Sequence, residues 1–418
     1  MKQKISNIRM AYLKIAAFIL IIVMSLNFFL QNTNLNIHHD DKIYYCNLIH
    51  IIDRIKSIEI EHKNTCDYFL IDSHRLERPP GTAILSMPIW YINSLFRKSN
   101  QISFQKNSDS KFPHFDFKIY NSINKDVLYE ETLSFSGLAS GSIALTSFVF
   151  LWIGLIYNAK ILKFYKFSDI IIFCTLGLLF ASPIFLHNIF RTPLYPTCII
   201  YGLSTMLYNF ILTKEKPNPF SLGSISLLCI LVRYELALLA LPIMFYFYKS
   251  QGLKKMFTYF MCLILGFCII HLFYNYFLTR PLFSLQTPNG NIFALNFYYI
   301  YDNIFSYKSG LLFYSTITFL GYLVFLFKSH IFKEKILIWV TLSLVLLYLL
   351  RMPESYQVRS EQIYHLIRYD INRYFTIVFP LSSIGLGMIL EYICTNLPNI
   401  FEKFQNLSRK LTKTIKAC

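Results

Sequence analysis

Long apolar runs, broken by short polar connections, dominate this chain. The first spans 10–30, and a polar stretch from about 31 to 137 follows it, far longer than an ordinary connection. Apolar runs then recur at 138–158, 169–187, 197–213, 219–232, 234–248, 256–277, 310–327, 335–351 and 374–392. Each is near the length a bilayer core requires, so the pattern predicts about ten membrane-spanning helices. Within the polar stretch, Tyr44, Leu48, Ile51, Ile52, Ile55 and Ile58 recur at helical spacing. Asp53, Arg54, Lys56 and Glu59 occupy the other face, which predicts an amphipathic helix over 42–63.

The lysines test this count. Lys160, Lys163 and Lys166 follow the second run, and Lys214 and Lys216 follow the fourth. Lys249, Lys254 and Lys255 follow the sixth; Lys328, Lys333 and Lys335 follow the eighth. The tail carries Lys403, Arg409, Lys410, Lys413 and Lys416. Every second connection is basic, so one assignment puts them all on the cytoplasmic side, with both chain ends. Two expectations follow. Ala83–Phe96 (AILSMPIWYINSLF) is short for a span and would invert the later lysines if it crossed, so it is expected to lie in the membrane interface. Ser221–Tyr248 must go in and come back as two short helices, with Arg233 and Glu235 at the turn.

The expected organisation is then a cytoplasmic N-terminus and first span (1–31), a large external loop with amphipathic helices (32–137), a transmembrane bundle (138–392) and a basic cytoplasmic tail (393–418). The fold class is all-α and polytopic, in a cell (inner) membrane. The run at 10–30 follows Lys2, Lys4 and Arg9 and continues into QNTNLN, with no small-residue cleavage site, so a retained span is expected.

Composition agrees. The 418 residues are 55% hydrophobic and only 15% charged, with mean hydropathy +0.43. The excess of 40 Lys and Arg over 23 Asp and Glu would suggest nucleic acid on a soluble protein. Here it falls between apolar runs, no nucleic-acid motif accompanies it, and no nucleic-acid partner is expected. The nine cysteines form no CxxC and no metal spacing. Cys46 and Cys66 share the external loop and are the one candidate disulfide pair.

Under this topology the external face gathers Asp40, Asp41, Asp72, Glu77, Arg78, Arg191, Arg233, Glu235, Arg280, Arg368, Asp370 and Arg373. Charges at the mouths of spans are expensive and usually functional. A carboxylate there suits proton removal from an acceptor, and arginines suit a phosphate leaving group.

Several stretches carry a resemblance. Asp72 to Gly81 reads DSHRLERPPG and runs into TAILSMPIW; Asp40-Asp41-Lys-Ile-Tyr44 follows the first run; RTPLYP ends at Pro196; VRYE spans Val232 to Glu235; GLLFYS ends at Ser315, with Thr316 next; and Arg373-Tyr374 leads on to Pro380. Together these resemble the polyprenyl-phosphate-dependent glycosyltransferases of the GT-C superfamily, in the branch of protein O-mannosyltransferases and lipid A aminoarabinose transferases. The resemblance implies a GT-C type helical bundle whose first external loop covers a cavity. It implies transfer of a sugar, with inversion, from a polyprenyl-phosphate carrier to a glycan, lipid or protein acceptor among membrane lipids. Asp40 or Asp41 would be the base; Asp72, Arg78, Arg233 and Arg373 would bind the donor. Arg78 stands where the family commonly has Lys, and Arg binds phosphate bidentately. No cofactor is expected; a divalent metal occurs in the superfamily, but no ligand spacing here argues for one.

Plainer readings stand beside these. Asp40 or Asp41 also fits a helix N-cap, Pro79-Pro80 a rigid turn, Arg233 a pair with Glu235, and Arg373 an interfacial anchor. A transporter or lipid flippase, or a polysaccharide polymerase or ligase, is the rival to the whole. The early position of the longest loop and the lack of internal repeats count against them.

Overall fold

The structure, a computed structural model, describes residues 47–48, 51–52, 80–96, 116–120, 127–132, 136–182, 196–277, 301, 304–305, 316–349 and 376–396. The run at 10–30, the pair Cys46 and Cys66, and residues Asp40, Asp41, Asp72, Arg78 and Arg373 lie outside them.

Helices dominate the described residues, in the order α1 (Gly81–Phe96), α2 (Ser136–Phe164), α3 (Asp169–Phe180), α4 (Thr197–Thr213), α5 (Pro219–Val232), a 3-10 helix (Tyr234–Leu239), α6 (Ala240–Gln251), α7 (Leu253–Phe277), α8 (Thr316–Lys328), α9 (Phe332–Leu349) and α10 (Thr376–Asn396). Each apolar run from 138 onward thus contains a helix. Among the described residues, the one departure from an all-helical chain is an antiparallel ribbon of β1 (Asp116–Tyr120) and β2 (Val127–Thr132), with Asp116 opposite Thr132, in the expected external loop. In the same loop Leu48, Ile51 and Ile52 are helical and buried, as the stripe predicts for its apolar face.

The span count is met only in part. Among the described residues three helices are long and apolar enough to cross a membrane: Gly141–Phe164, Leu253–Tyr274 and Thr376–Asn396. Shorter apolar helices accompany them, α5 among them at 14 residues, or about 21 Å, against a hydrocarbon core of about 30 Å. The membrane character is visible in what stays outside. On α7, Phe257, Ile264, Leu265, Ile269 and Phe273 are each more than two-fifths exposed, a stripe that water would not tolerate at this length.

The bundle is tied together where small or polar residues let backbones meet. Gly321 on α8 and Gly385 on α10 face each other's backbones so closely that neither site has room for a Cβ. Such contacts drive helix association where no hydrophobic difference between lipid and protein is available. Asn158 Nδ2 donates to Tyr201 Oη at 3.1 Å and Ser383 Oγ donates to Asn158 Oδ1 at 2.6 Å, a buried chain linking α2, α4 and α10.

The basic connections converge on one end. The Tyr165 hydroxyl, just past α2, donates to Glu334 Oε1 on α9 at 2.6 Å. Lys333 Nζ donates to the Lys214 carbonyl after α4. Gln251 Nε2, closing α6, donates to the Pro217 carbonyl before α5 at 3.1 Å. The four lysine-rich turns are therefore neighbours. The last bond also shows that Ser221–Tyr248 returns to its starting end, as the lysine parity requires. Turns here are closed by backbone geometry too. Lys166 sits at φ 64, and Lys166 N and Phe167 N donate to the Lys163 and Leu162 carbonyls, a Schellman ending normally given to glycine. Glu334 Oε2 accepts the His330 and Ile331 amides, boxing the start of α9. Burial first, then Glu334, push the Tyr165 hydroxyl above the ordinary tyrosine range. Burial lowers Lys333, with Glu215 opposing it.

Candidate functional site

The opposite end is built around the break after α5. Arg233 adopts an extended backbone (φ −151, ψ 118), and its amide still donates to the Cys229 carbonyl as the last bond of α5. Its carbonyl then accepts from Leu236 N, starting the 3-10 helix. A charged pair two residues apart in an otherwise apolar run gives the chain its reason to turn here, since carrying both charges through lipid costs more than reversing.

Onto this break comes the start of α1. Pro80 is buried and its carbonyl accepts from Ile84 N at 3.0 Å, so Pro80 is the N-cap and Gly81 the first helical residue. A Cβ at Gly81 would stand 2.5 Å from the Leu231 carbonyl carbon and 2.5 Å from Val232 N. Glycine is therefore required by close approach: the first turn of α1 lies directly on the last turn of α5. Proline offers no side-chain acceptor, and among the described residues nothing accepts from the Gly81, Thr82 or Ala83 amides. The Thr82 hydroxyl is fully buried and has no hydrogen-bond partner among the described residues. The first amides of any helix lack intrahelical acceptors and stand at the positive end of its dipole, so this start, with the Thr82 hydroxyl, suits an anion.

Arg233 adjoins that contact, being the residue after Val232. It is 7% exposed and it has interaction partners. No ion pair joins it to Glu235, so the reading that pairs these two is not realised. From α7 an aromatic wall closes beside it: Tyr234 meets Phe267 edge-on at 6.0 Å and His271 at 6.5 Å, while Phe267 and His271 stack at 5.3 Å. His271 and Tyr274 are buried. A buried arginine next in the chain to the Gly81 contact suits a multiply charged oxygen anion, which a guanidinium binds through two parallel hydrogen bonds.

Of the sequence-predicted site residues, Arg233 alone lies among the described ones; Gly81, which ends the RPPG stretch, packs on Leu231 and Val232 just before it. Thr82 and His271 went unread in the sequence. Thr82 had the signal of directly following Pro-Pro-Gly, and His271 that of an ionisable side chain inside an apolar run. Among the described residues no three of His, Cys, Asp and Glu gather as metal ligands. No family model matches the chain, no curated protein matches its sequence, and no solved structure matches its fold.

Proposed function

We propose that the protein is a membrane-embedded glycosyltransferase that takes a sugar from a polyprenyl-phosphate carrier. The acceptor is a hydroxyl of a glycan, lipid or protein on the side of the membrane away from the basic turns. The observation that carries this reading is the seating of the α1 start, with its buried Thr82 hydroxyl, against the α5 end that leads into Arg233.

In this reading Asp40 or Asp41 removes the acceptor proton as the acceptor oxygen bonds to the anomeric carbon from the face opposite the phosphate. The anomeric C–O bond breaks with its electron pair leaving on phosphate oxygen, and the configuration inverts. The products are the glycosylated acceptor, polyprenyl phosphate and a proton on the carboxylate. Charge grows on the phosphate during the step, so donors already aimed at it lower the barrier without reorganising. Arg78, Arg233, Arg373 and the helix start fill that role; Asp72 holds the donor. The lipid tail remains in the bilayer, so no nucleotide-binding loop is called for.

A transporter would draw on helices broken in mid-membrane. The Arg233 break is instead the tip of a hairpin, because Gln251 returns to Pro217. The test is release of polyprenyl phosphate by the purified full chain, given a panel of polyprenyl-phosphate sugars. Wild type should consume one donor. Asp40→Asn or Asp41→Asn should lower turnover at least a hundredfold, the scale of lost general-base catalysis. Arg78→Ala and Arg233→Ala should weaken donor use. No donor consumed, or every variant matching wild type, sinks the reading. For sidedness, exposed Cys394 at the end of α10 should react with an impermeant maleimide only from the cytoplasmic face.

A further inference from the structure

The corner between α6 and α7 differs from the other basic turns in standing at the edge of the bundle. Lys249, Lys254 and Lys255 are all exposed. Lys249 Nζ lies 5.9 Å from the Phe245 ring and 5.7 Å from the Tyr248 ring, and both rings are half exposed. Neither α6 nor α7 contains an acidic residue. Two of the other basic turns use a lysine internally: Lys163 meets Asp169 at 3.7 Å, and Lys333 donates to the Lys214 carbonyl.

This corner also works against its own helix. Lys254 and Lys255 occupy the first turn of α7, where the helix dipole is positive and lysine is unfavourable. Two cations at the start of α7 and a third at the end of α6, with no acidic residue on either helix, call for an external anion. Directly beyond them runs the exposed apolar stripe of Phe257, Ile264, Leu265, Ile269 and Phe273. Negative charge above and hydrocarbon below is the shape of one class of partner.

We infer that the α6–α7 edge is a docking surface for anionic phospholipid: the headgroup phosphate on Lys249, Lys254 and Lys255, the acyl chains along α7. Charge complementarity selects the lipid, and the aromatic rings of Phe245 and Tyr248 set the depth of the headgroup.

The full chain is reconstituted with equal parts of phosphatidylglycerol and phosphatidylcholine, and retained lipid is counted by native mass spectrometry. Wild type should keep phosphatidylglycerol in preference. Lys249→Gln, Lys254→Gln and Lys255→Gln should each lower that preference by roughly fivefold, the Boltzmann factor of the ~1 kcal/mol that a lysine gains at an anionic surface. A control that removes three charges elsewhere at the basic end, Lys214→Gln with Lys216→Gln and Lys328→Gln, should leave it unchanged. The inference fails if the corner variants retain phosphatidylglycerol like wild type. It also fails if the control loses as much, since the whole basic end would then attract lipid without a defined edge.

Discussion

The two ends of the α5–α6 hairpin lie about 21 Å apart and solve opposite problems. At the basic end, Glu334 accepts from Tyr165, His330 and Ile331, Gln251 closes on Pro217, and Lys166 accepts a left-handed backbone to finish α2. Groups there are satisfied within the chain. At the other end a helix start is buried against Leu231 and Val232, with a buried hydroxyl that has no partner among the described residues, beside a buried arginine. An end closed by its own bonds carries the fold; an end that buries unused donors gives up stability and gains a place for a ligand.

Breaking the contact at the second end should have the largest effect. Gly81→Ala forces a Cβ into the α5 backbone, which has no side chain to rotate away, and should cost about 3 kcal/mol in chemical denaturation of the micelle-solubilised protein. Gly141→Ala meets nothing within 4 Å in its helix and should instead gain up to about 1 kcal/mol. Glu334→Ala comes next. It strips three donors of one acceptor at a site only 4% exposed and should cost about 2 kcal/mol by the same measurement.

The sharper contrast lies in Thr82→Val. Removing a buried hydroxyl that makes no bond should stabilise the unliganded protein by about 1 kcal/mol, while weakening donor binding in the release assay. A loss of stability would mean the hydroxyl already serves the fold. The smallest effects belong to the closed end. Lys166→Gly relieves the positive φ and should gain about 0.5 kcal/mol, less than the full strain because glycine also loosens the unfolded chain. Tyr165 has a raised pKa in the folded protein, so the folded state holds that proton more tightly. Its contribution is complete below the unfolded tyrosine value of about 10 and falls as pH rises beyond it. Stability in alkaline titration should therefore decline less steeply for Tyr165→Phe than for wild type.

Much of this was legible in the residues. The positions of the apolar runs foretold helices from 138 onward, and lysine parity foretold that Ser221–Tyr248 turns back at Arg233, because insertion responds to local hydropathy and to charges near each end. The span count read less well. Helices such as α3 and α5 are shorter than their runs or than a bilayer, since lipid-facing length is set by what neighbours cover. The ribbon over 116–132 went unread because its alternation is brief and lies in a polar context.

By itself, the sequence determined which segments are apolar, which connections are basic and where the long run must bend, all properties of residues near one another in the chain. Only the tertiary structure decided that the turn beginning at Pro80 rests on the backbone of Leu231 and Val232. Gly81 permits a close approach, but glycine does not name the segment that approaches. That partner, some 150 residues away, is chosen by how the whole set of helices packs.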